Sequence, residues 1–295
     1  MVKGRLQVVA TPIGNIADLS ERARAALADA DVIAAEDTRH TGALLKALGI
    51  TRPLVSLHEH NESRRAPALL ARLSAGESIA LVSDAGMPLL SDPGSLLVRQ
   101  AVQAGIPVSV IPGPSAITAA LAVAGLPAAR FCFEGFLPAR EGERRTALAA
   151  VAHEPRTLVF FEAPHRIAGT LGDMAAELGA GRRAVVAREL TKAHETIYRG
   201  TLGELAQRAQ QEENFARGEI TIVVHGAAGD APAVDELLLR RTVELLAKEL
   251  PPARVAAIAA QLTGAPRSTA YALATRGAAP GRKRASPPPS EEEAP

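Results

Sequence analysis

Two short segments combine carboxylates with a histidine and an arginine, a set of side chains that can move protons and hold anions. They are AAEDTRH (34–40) and FFEAPHR (160–166), and each lies where an apolar strand pattern changes to a helical one. A carboxylate at a strand end can accept the proton of a nucleophilic hydroxyl as the nucleophile attacks. Glu36 and Glu162 are therefore the candidate catalytic bases.

A structural role is the alternative for each of these residues. Asp37 has the position of a helix N-cap, and Glu162 followed by Pro164 is also typical of a helix start. Arg39 and Arg166 are candidates for binding phosphate groups, and each is equally compatible with an ordinary surface arginine. Both interpretations stay open for these residues.

Three loops rich in glycine and proline follow strand patterns and carry hydroxyl and carboxylate groups. They are VVATPIGN (8–15), VSDAGMPLLSDPG (82–94) and IPGPSAITAAL (111–121). In an open α/β sheet, ligands bind beyond the carboxyl ends of the strands, where such loops meet. The sequence therefore predicts a cofactor-sized crevice.

The second of these loops contains two related tetrapeptides, and we expect them to have different roles. Asp84 in SDAG (83–86) has no helix directly after it, which favours a ligand contact over a turn that bonds to its own backbone. Asp92 in SDPG (91–94) is followed by Pro93, and this pair predicts an N-cap with proline at the first position of the next helix.

Several other kinds of site are excluded by the motifs. The chain has no phosphate-binding loop of the form G-x-x-x-x-G-K-[ST], and GAGRRA (179–184) follows a helix pattern, the reverse of the dinucleotide-binding order. HEH (58–60) has no further ligand at metal spacing, so we predict no metal site. Since Cys132 is the single cysteine, the chain can form no internal disulfide.

Composition narrows the classes of partner. Aromatic residues are 3% of the chain and tryptophan is missing, which argues against an aromatic stacking platform for single-stranded nucleic acid. No apolar run is long enough to cross a membrane, and the first residues lack a signal-peptide layout, so we expect a cytoplasmic protein. The net charge of +1 neither favours nor excludes nucleic acid.

The elements that would carry these residues alternate between strands and helices. Strands are predicted at 6–10, 31–35, 53–57, 78–82, 107–111, 130–136, 157–163, 184–190, 195–200 and 219–226. Helices are predicted near 20–29, 38–48, 61–74, 95–104, 115–124, 141–152, 165–178 and 201–213. Such alternation predicts a mainly parallel first sheet. The strands at 184–190 and 195–200 are too close for a parallel crossover, so the second sheet should be mixed.

The chain is expected to divide into four parts. An α/β domain with the cofactor loops spans 1–126, a second α/β domain spans 127–228, a helical unit spans 233–276 and a disordered tail spans 277–295. Residues 251–290 contain arginine and lysine but no acidic residue. Such a local excess favours binding to a phosphate backbone, and a solubilising face is the alternative.

Several segments together resemble a known family. VATPIGN, AAEDTRHTGALL, LVSDAGMPLLSDPG, VIPGPSA, FEGFLP, FFEAPHRI and ARELTKAHE occur in the order typical of a family of ribosomal RNA methyltransferases within the tetrapyrrole methylase superfamily. The resemblance spans residues 6–276. It implies a two-domain α/β tetrapyrrole-methylase-like fold with a small C-terminal helical unit. It also implies S-adenosylmethionine in the cleft between the domains, and a homodimer.

The resemblance further implies an activity, 2′-O-methylation of the ribose of one cytidine in the decoding region of 16S rRNA, with the small ribosomal subunit as partner. Glu36 or Glu162 would then take the proton of the ribose hydroxyl. The expected RNA contacts are Arg39, Arg166, Arg254 and Arg267.

Carried over position by position, the family's cofactor contacts fall in the three loops and in the second domain. The expected cofactor-binding residues are Thr11, Pro12, Gly14, Ser83, Asp84, Ala85, Met87, Ser115, Ala116, Phe161, Glu189 and Thr221. Met87 departs from the family, which usually has a small polar residue there. A backbone contact would survive that change, whereas a contact through a side-chain hydroxyl would not.

Two rival functions share part of this interpretation. A tetrapyrrole C-methyltransferase would have the same fold and cofactor but would not need the basic helical unit. A non-enzymatic RNA-binding factor for ribosome assembly would keep the RNA contacts and have a vestigial crevice, and the intact SDAG loop argues against it.

Overall fold

The computed structural model describes residues 4–227 and 236–276. The chain divides into two compact units, Met1–Ala227 and Ala228–Pro295. Within the described ranges, no helix is both long enough and apolar enough to cross a membrane. The expected disordered tail at 277–295 lies outside the described residues.

Strands and helices alternate along the first unit, and helices follow one another in the second. The strands are β1 Leu6–Val9, β2 Val32–Ala35, β3 Leu54–Ser56, β4 Ile79–Val82, β5 Val108–Ile111, β6 Phe131–Phe136, β7 Thr157–Glu162, β8 Arg183–Arg188, β9 Thr196–Thr201 and β10 Ile220–Val224. The α-helices are α1 Glu21–Asp29, α2 Thr38–Leu48, α3 Glu62–Ser74, α4 Ser95–Gln103, α5 Ala116–Ala124, α6 Glu141–Ala150, α7 Ile167–Leu178, α8 Leu202–Gln211, α9 Glu236–Leu246, α10 Pro252–Thr263 and α11 Arg267–Arg276.

The first sheet contains β1 to β5 in the order β3-β2-β4-β1-β5, and its pairings are parallel, as the sequence predicts. Leu69 of α3 and Leu97 of α4 pack on one face, while Leu27 of α1 and Leu45 of α2 pack on the other. Helices on both faces explain why the central strands β2 and β4 are continuously apolar. Because parallel strands end at the same edge, the loops after β1, β2, β4 and β5 meet there.

The second sheet contains β6 to β10 in the order β6-β7-β10-β8-β9. β6 and β7 are parallel, whereas β10 is antiparallel to both β7 and β8. β8 and β9, whose short connection excluded a parallel crossover, form an antiparallel pair. The predicted mixed sheet is confirmed.

Helix α5 joins the two sheets, because it follows β5 of the first sheet and packs on the second. Ile117 and Leu121 of α5 lie in one buried cluster with Val159, Val185 and Val223 of the second sheet. Burial of each such side chain contributes about 1.5–3 kcal/mol. This packing brings the loop after β5 against the second sheet.

Helix α4 begins at Ser95, where the helical pattern predicts it, but the expectation that Asp92 is its N-cap with Pro93 at the first helical position is wrong. The N-cap is Gly94, which has φ +114° and no side chain that could accept a hydrogen bond. A Cβ at Gly94 would lie 2.7 Å from Cδ2 of Leu81, so close packing on β4 requires glycine there. Glu62 of α3 supplies the cap, since its Oε1 accepts from the N–H groups of Gly94 at 3.1 Å and Leu96 at 2.7 Å.

The second unit has an apolar core of its own. Leu239 and Val243 of α9, Val255 and Ala259 of α10, and Ala270 of α11 are buried together. The alanine side chains in this core let the three helices approach one another closely. These helices lie where the sequence predicts a helical unit.

Candidate functional site

A cavity of ≈ 470 Å³ lies at the carboxyl edge of the first sheet, where that edge meets the second sheet. Its size is within the range of roughly 300–1,000 Å³ that is typical of sites for small molecules. The loops after β1, β2, β4 and β5 form one wall. The opposite wall comes from β6, β7, β8 and β10 and from the residues that follow or precede them.

Many of the expected cofactor-binding residues line this cavity. They are Asp84, Ala85, Met87, Ser115, Ala116, Phe161 and Thr221. Pro12 and Gly14 line an adjoining cavity of ≈ 320 Å³, and Ile13, Asp84 and Ala85 line both. The predicted crevice at the strand ends is thus present, and it continues towards the start of α2.

Thr11 and Ser83 were also expected to bind the cofactor, but both are buried behind the cavity wall. The N–H of Thr11 donates to the carbonyl of Gly86 at 2.9 Å, and the N–H of Gly86 donates back at 3.1 Å. The hydroxyl of Thr11 donates to the carbonyl of Ser83 at 3.1 Å. These bonds fasten the loop after β1 to the loop after β4 and so hold Asp84 and Ala85 in the wall.

Glu36 and Asp84 follow the neighbouring strands β2 and β4, and their carboxylates bind backbone groups across the two loops. Oε2 of Glu36 accepts from the N–H of Asp84 at 3.4 Å, and Oδ1 of Asp84 accepts from the N–H of Asp37 at 3.1 Å. Burial raises the pKa of Glu36 despite this hydrogen bond, and the charges of Asp84 and Asp37 add to the rise. A raised pKa makes the ionised carboxylate a better proton acceptor.

Asp92 lines the same cavity, a position that sequence reasoning missed because it assigned this residue to a helix cap. Burial raises the pKa of Asp92 to about 6; the Ser83 hydroxyl opposes the rise, and the charges of Glu36 and Asp84 reinforce it. Glu36, Asp84 and Asp92 thus give this wall an acidic character. The sequence signal for Asp92 is the repeated Ser-Asp-x-Gly tetrapeptide itself.

The charge of the lining indicates which ligand fits. Among the described residues, the lining includes acidic side chains but no lysine, arginine or histidine. Phosphate groups would meet only negative charge there, whereas a cation or a hydroxyl donor would be attracted. Met87, Ile117 and Phe161 add apolar surface that suits an aromatic base. S-adenosylmethionine combines a sulfonium cation with a nucleoside, so these residues fit it.

Glu162 borders the cavity, but its side chain is fully buried and protein donors engage its carboxylate. The hydroxyl of Thr170 donates to it at 2.5 Å, and the N–H of Ala163 donates at 2.7 Å. Arg166 donates to the same carboxylate at 3.3 Å and to the carbonyl of Leu137 at 2.6 Å. These contacts correspond to the structural alternative that the sequence left open for Glu162.

Glu189, another expected cofactor contact, does not line the cavity among the described residues. Its Oε1 accepts from Nζ of Lys192 at 2.9 Å and from the N–H of Glu219 at 2.8 Å. Burial acts to raise the pKa of Glu189, but the Glu219 N–H and the Lys192 ammonium outweigh it and lower that pKa. Glu189 therefore supports Glu219, which does line the cavity.

The remaining arginines expected to contact RNA are exposed. The side chain of Arg39 is 90% exposed, and its Nη2 lies 2.6 Å from Oδ2 of Asp37, the N-cap of α2. Arg254 in α10 and Arg267 in α11 are exposed within the second unit. In the described ranges, no cluster of three or more histidine, cysteine, aspartate or glutamate side chains is arranged to hold a metal ion.

A comparison with family models accounts for both units. Residues 5–206, more than half of the chain, match the model of the Tetrapyrrole (Corrin/Porphyrin) Methylases. The chain belongs to the tetrapyrrole methylase family. Residues 230–277 match the model of the RsmI C-terminal HTH domain. As a tetrapyrrole methylase family member the protein is a methyltransferase, and its methyl donor is S-adenosylmethionine, as the resemblance of the motifs implies.

Two similar proteins share the name Ribosomal RNA small subunit methyltransferase I. That of Xylella fastidiosa (strain Temecula1 / ATCC 700964) is 55% identical over 269 residues, which are 91% of this chain and 98% of the relative. That of Escherichia coli O157:H7 is 50% identical over 275 residues, with 92% and 95% covered.

A solved structure shows the same fold at low sequence identity. The uroporphyrin-III C-methyl transferase from Thermus thermophilus complexed with S-adenyl homocysteine aligns with a TM-score of 0.53 and 21% identity. The alignment covers 75% of this chain and 97% of that one. The expected tetrapyrrole-methylase-like fold is confirmed.

Proposed function

We propose that this methyltransferase 2′-O-methylates the ribose of a cytidine in the decoding region of 16S rRNA, with the small ribosomal subunit as its partner. The observation that carries the proposal is the 55% identity, over 91% of this chain, to a protein named Ribosomal RNA small subunit methyltransferase I. The separate match of the helical unit supports it. The cytidine and the 2′-oxygen follow from the family resemblance of the motifs.

We assign S-adenosylmethionine to the acid-lined cavity, where it would supply an electrophilic methyl group. The carboxylate of Asp84 would accept hydrogen bonds from its hydroxyl groups. Met87, whose side chain has no hydroxyl, would contribute backbone groups and apolar surface. Phe161 and Ala116 would enclose the base. The other lining residues expected to contact it are Ala85, Ser115, Thr221, Pro12 and Gly14.

The reaction needs an acceptor for the proton of the ribose hydroxyl. Glu36 is the proposed acceptor, because it lines the cavity and burial raises its pKa. Glu162 is the weaker candidate, because Thr170 and Ala163 already donate to its carboxylate. Its proposed role is to position the segment after β7.

Single-turnover methylation at saturating cofactor and substrate separates the two carboxylates. We expect Glu36→Gln to slow methyl transfer by about 10²–10⁴-fold with little change in cofactor affinity, because a base acts mainly in the transition state. Glu162→Gln should lower thermal stability more than the rate, because it weakens bonds from buried donors. Near-normal rates in both variants would show that neither carboxylate is the base.

RNA contacts are proposed on both units. Arg39 is adjacent to His40, which lines the second cavity, so it is placed to contact phosphates that flank the target ribose. Arg254 and Arg267 would bind the RNA backbone through the helical unit. Arg166 is the weakest candidate for an RNA contact, because Leu137 and Glu162 already accept its hydrogen bonds.

The proposal also includes the oligomeric state and the location of the protein. We propose a homodimer that acts in the cytoplasm, and light scattering tests the dimer.

Transfer of tritium from labelled S-adenosylmethionine tests the function. Small ribosomal subunits that lack the modification, free 16S rRNA and a tetrapyrrole precursor are offered separately. We expect label in the subunit or the rRNA, recovered after digestion as 2′-O-methylcytidine. Label in the precursor alone would support a tetrapyrrole C-methyltransferase. RNA binding without any transfer would support an assembly factor.

A further inference from the structure

Two exposed apolar side chains lie at the cavity, one on each wall. Leu90, in the loop between β4 and α4, is 43% exposed, and Phe136, at the end of β6, is 56% exposed. Both line the cavity, and the cofactor contacts assigned above use neither. Single exposed apolar side chains are common on proteins, but these two are held by unusual backbone conformations.

The position of Phe136 depends on an irregularity in β6. The pairing of β6 with β7 shifts register between Phe133 and Gly135, and Gly135 has φ +68°. A β-bulge re-aims the side chains beside it and is frequent next to active sites. The ring centroids of Phe136 and Phe161 are 5.6 Å apart, and Phe161 also lines the cavity.

Leu90 lies between two residues in the left-handed region of the backbone. Leu89 has φ +77° and Ser91 has φ +68°. Each such conformation costs on the order of 1 kcal/mol for a residue with a side chain, and strain of this kind clusters at functional sites. The two irregular segments also meet, because a Cβ at Gly135 would lie 3.0 Å from Oγ of Ser91.

We propose that Leu90 and Phe136 clamp the base of the target nucleotide, an inference that rests on the proposed RNA methyltransferase function. A flat base stacks on an aromatic ring, and an aliphatic side chain can close on its other face. The carboxylate of Asp92, two residues after Leu90, lines the same cavity and can accept a hydrogen bond from an amino group of the base.

The adenine of the cofactor is also a flat base and could stack between the same two side chains. The exposure of the lining side chains distinguishes the cofactor's adenine from the base of the target nucleotide. Ile117 and Ala187 line the cavity and are 5% and 1% exposed, so they offer an enclosed apolar surface for the cofactor. Leu90 and Phe136 are exposed to solvent, and a base that is part of a long RNA must enter from solvent. The clamp is therefore assigned to the substrate.

Phe136→Ala tests the clamp, with Phe131→Ala as the matched control. Phe131 is an exposed phenylalanine of the same strand and is not among the described lining residues. We expect Phe136→Ala to lower kcat/KM for the small subunit by about 5- to 150-fold, the worth of one stacked base, and to leave the Kd for S-adenosylmethionine unchanged. Phe136→Trp should restore most of the activity, Leu90→Ala should cause a smaller loss, and Phe131→Ala should match the wild type.

A second readout needs no turnover. A short RNA that carries the fluorescent base pyrrolocytidine at the target position is bound in the presence of S-adenosylhomocysteine. Stacking should quench its fluorescence with the wild type and with Phe131→Ala, but not with Phe136→Ala. Equal quenching by all three proteins would overturn the clamp.

Other results would assign Phe136 elsewhere. A weaker Kd for S-adenosylmethionine in Phe136→Ala would assign the ring to the cofactor's adenine and overturn the clamp. A changed oligomeric mass would assign it to a subunit contact, with the same consequence. Failure of the wild type to methylate small subunits would count against the proposed function, and the quenching experiment would still decide the clamp.

Discussion

Asp84 lines the cavity wall. Among the described residues, its carboxylate accepts one hydrogen bond, from the N–H of Asp37. We expect Asp84→Ala to weaken binding of S-adenosylmethionine by about tenfold or more, because a hydrogen bond to a charged group contributes about 1.5–3 kcal/mol. Calorimetric titration measures this affinity, and Asp29→Ala, on the exposed side of α1, is the control. Wild-type affinity in Asp84→Ala would remove this residue from the site.

Asp92 should make the folded protein less stable at neutral pH than in mild acid. Its pKa in the folded protein is raised to about 6, while an unfolded chain has a value of about 3.9. The bound proton therefore favours the folded state, with its full contribution below about pH 4, and this contribution is lost as the pH rises through about 6.

Asp92→Asn should abolish this pH dependence. At about pH 8 the free energy of unfolding should rise by about 1–2 kcal/mol relative to the wild type, allowing for solvent screening, and near pH 4 the difference should be small. Urea denaturation at the two pH values measures it, with Asp29→Asn as the control. A gain of the same size at both pH values would contradict the ionisation of Asp92 as its cause.

At the scale of elements, Glu62 connects α3 to the start of α4 and so holds the end of the loop that carries Asp92. Its carboxylate accepts from backbone N–H groups of α4 and also faces the positive end of that helix. Glu62→Gln should lower the free energy of unfolding by about 1 kcal/mol, as is typical for loss of a good cap, and should also weaken cofactor binding.

Thermal melting and cofactor titration check the effect of Glu62→Gln. Glu59→Gln is the control, because Glu59 is an exposed residue of the preceding loop. An unchanged melting temperature in Glu62→Gln would show that the carboxylate is not needed for capping. A loss of stability without any loss of cofactor affinity would separate the cap from the cavity.

At the scale of the whole molecule, the first unit should bind the cofactor, and the second unit should strengthen binding of the RNA substrate without affecting the cofactor. The first unit contains the cavity and its walls, whereas Arg254 and Arg267 are exposed in the second. A chain that ends near residue 229 should keep its affinity for S-adenosylmethionine and lose methylation of small subunits. Charge reversal at both arginines in the full chain should weaken RNA binding and reduce its salt dependence. Full activity of the truncated chain would assign these helices to another role.

The sequence by itself determined the order of the elements and the type of each sheet. Apolar runs such as Val32–Ala35 are local signals, and the short connection between β8 and β9 limits how those strands can pair. The rule that ligands bind beyond parallel strand ends led to Asp84 and Ser115, and both line the cavity.

Only the tertiary structure decided which polar and aromatic groups meet. Glu62 caps a helix from 32 residues away, and the raised pKa of Asp92 depends on burial and on charges from another strand end. Phe136 and Phe161 come together at the cavity, although an aromatic content of 3% argued against a stacking surface. Local patterns specify strands and helices, but the order in which strands and helices lie beside one another within each sheet sets these long-range contacts, and no local pattern encodes them.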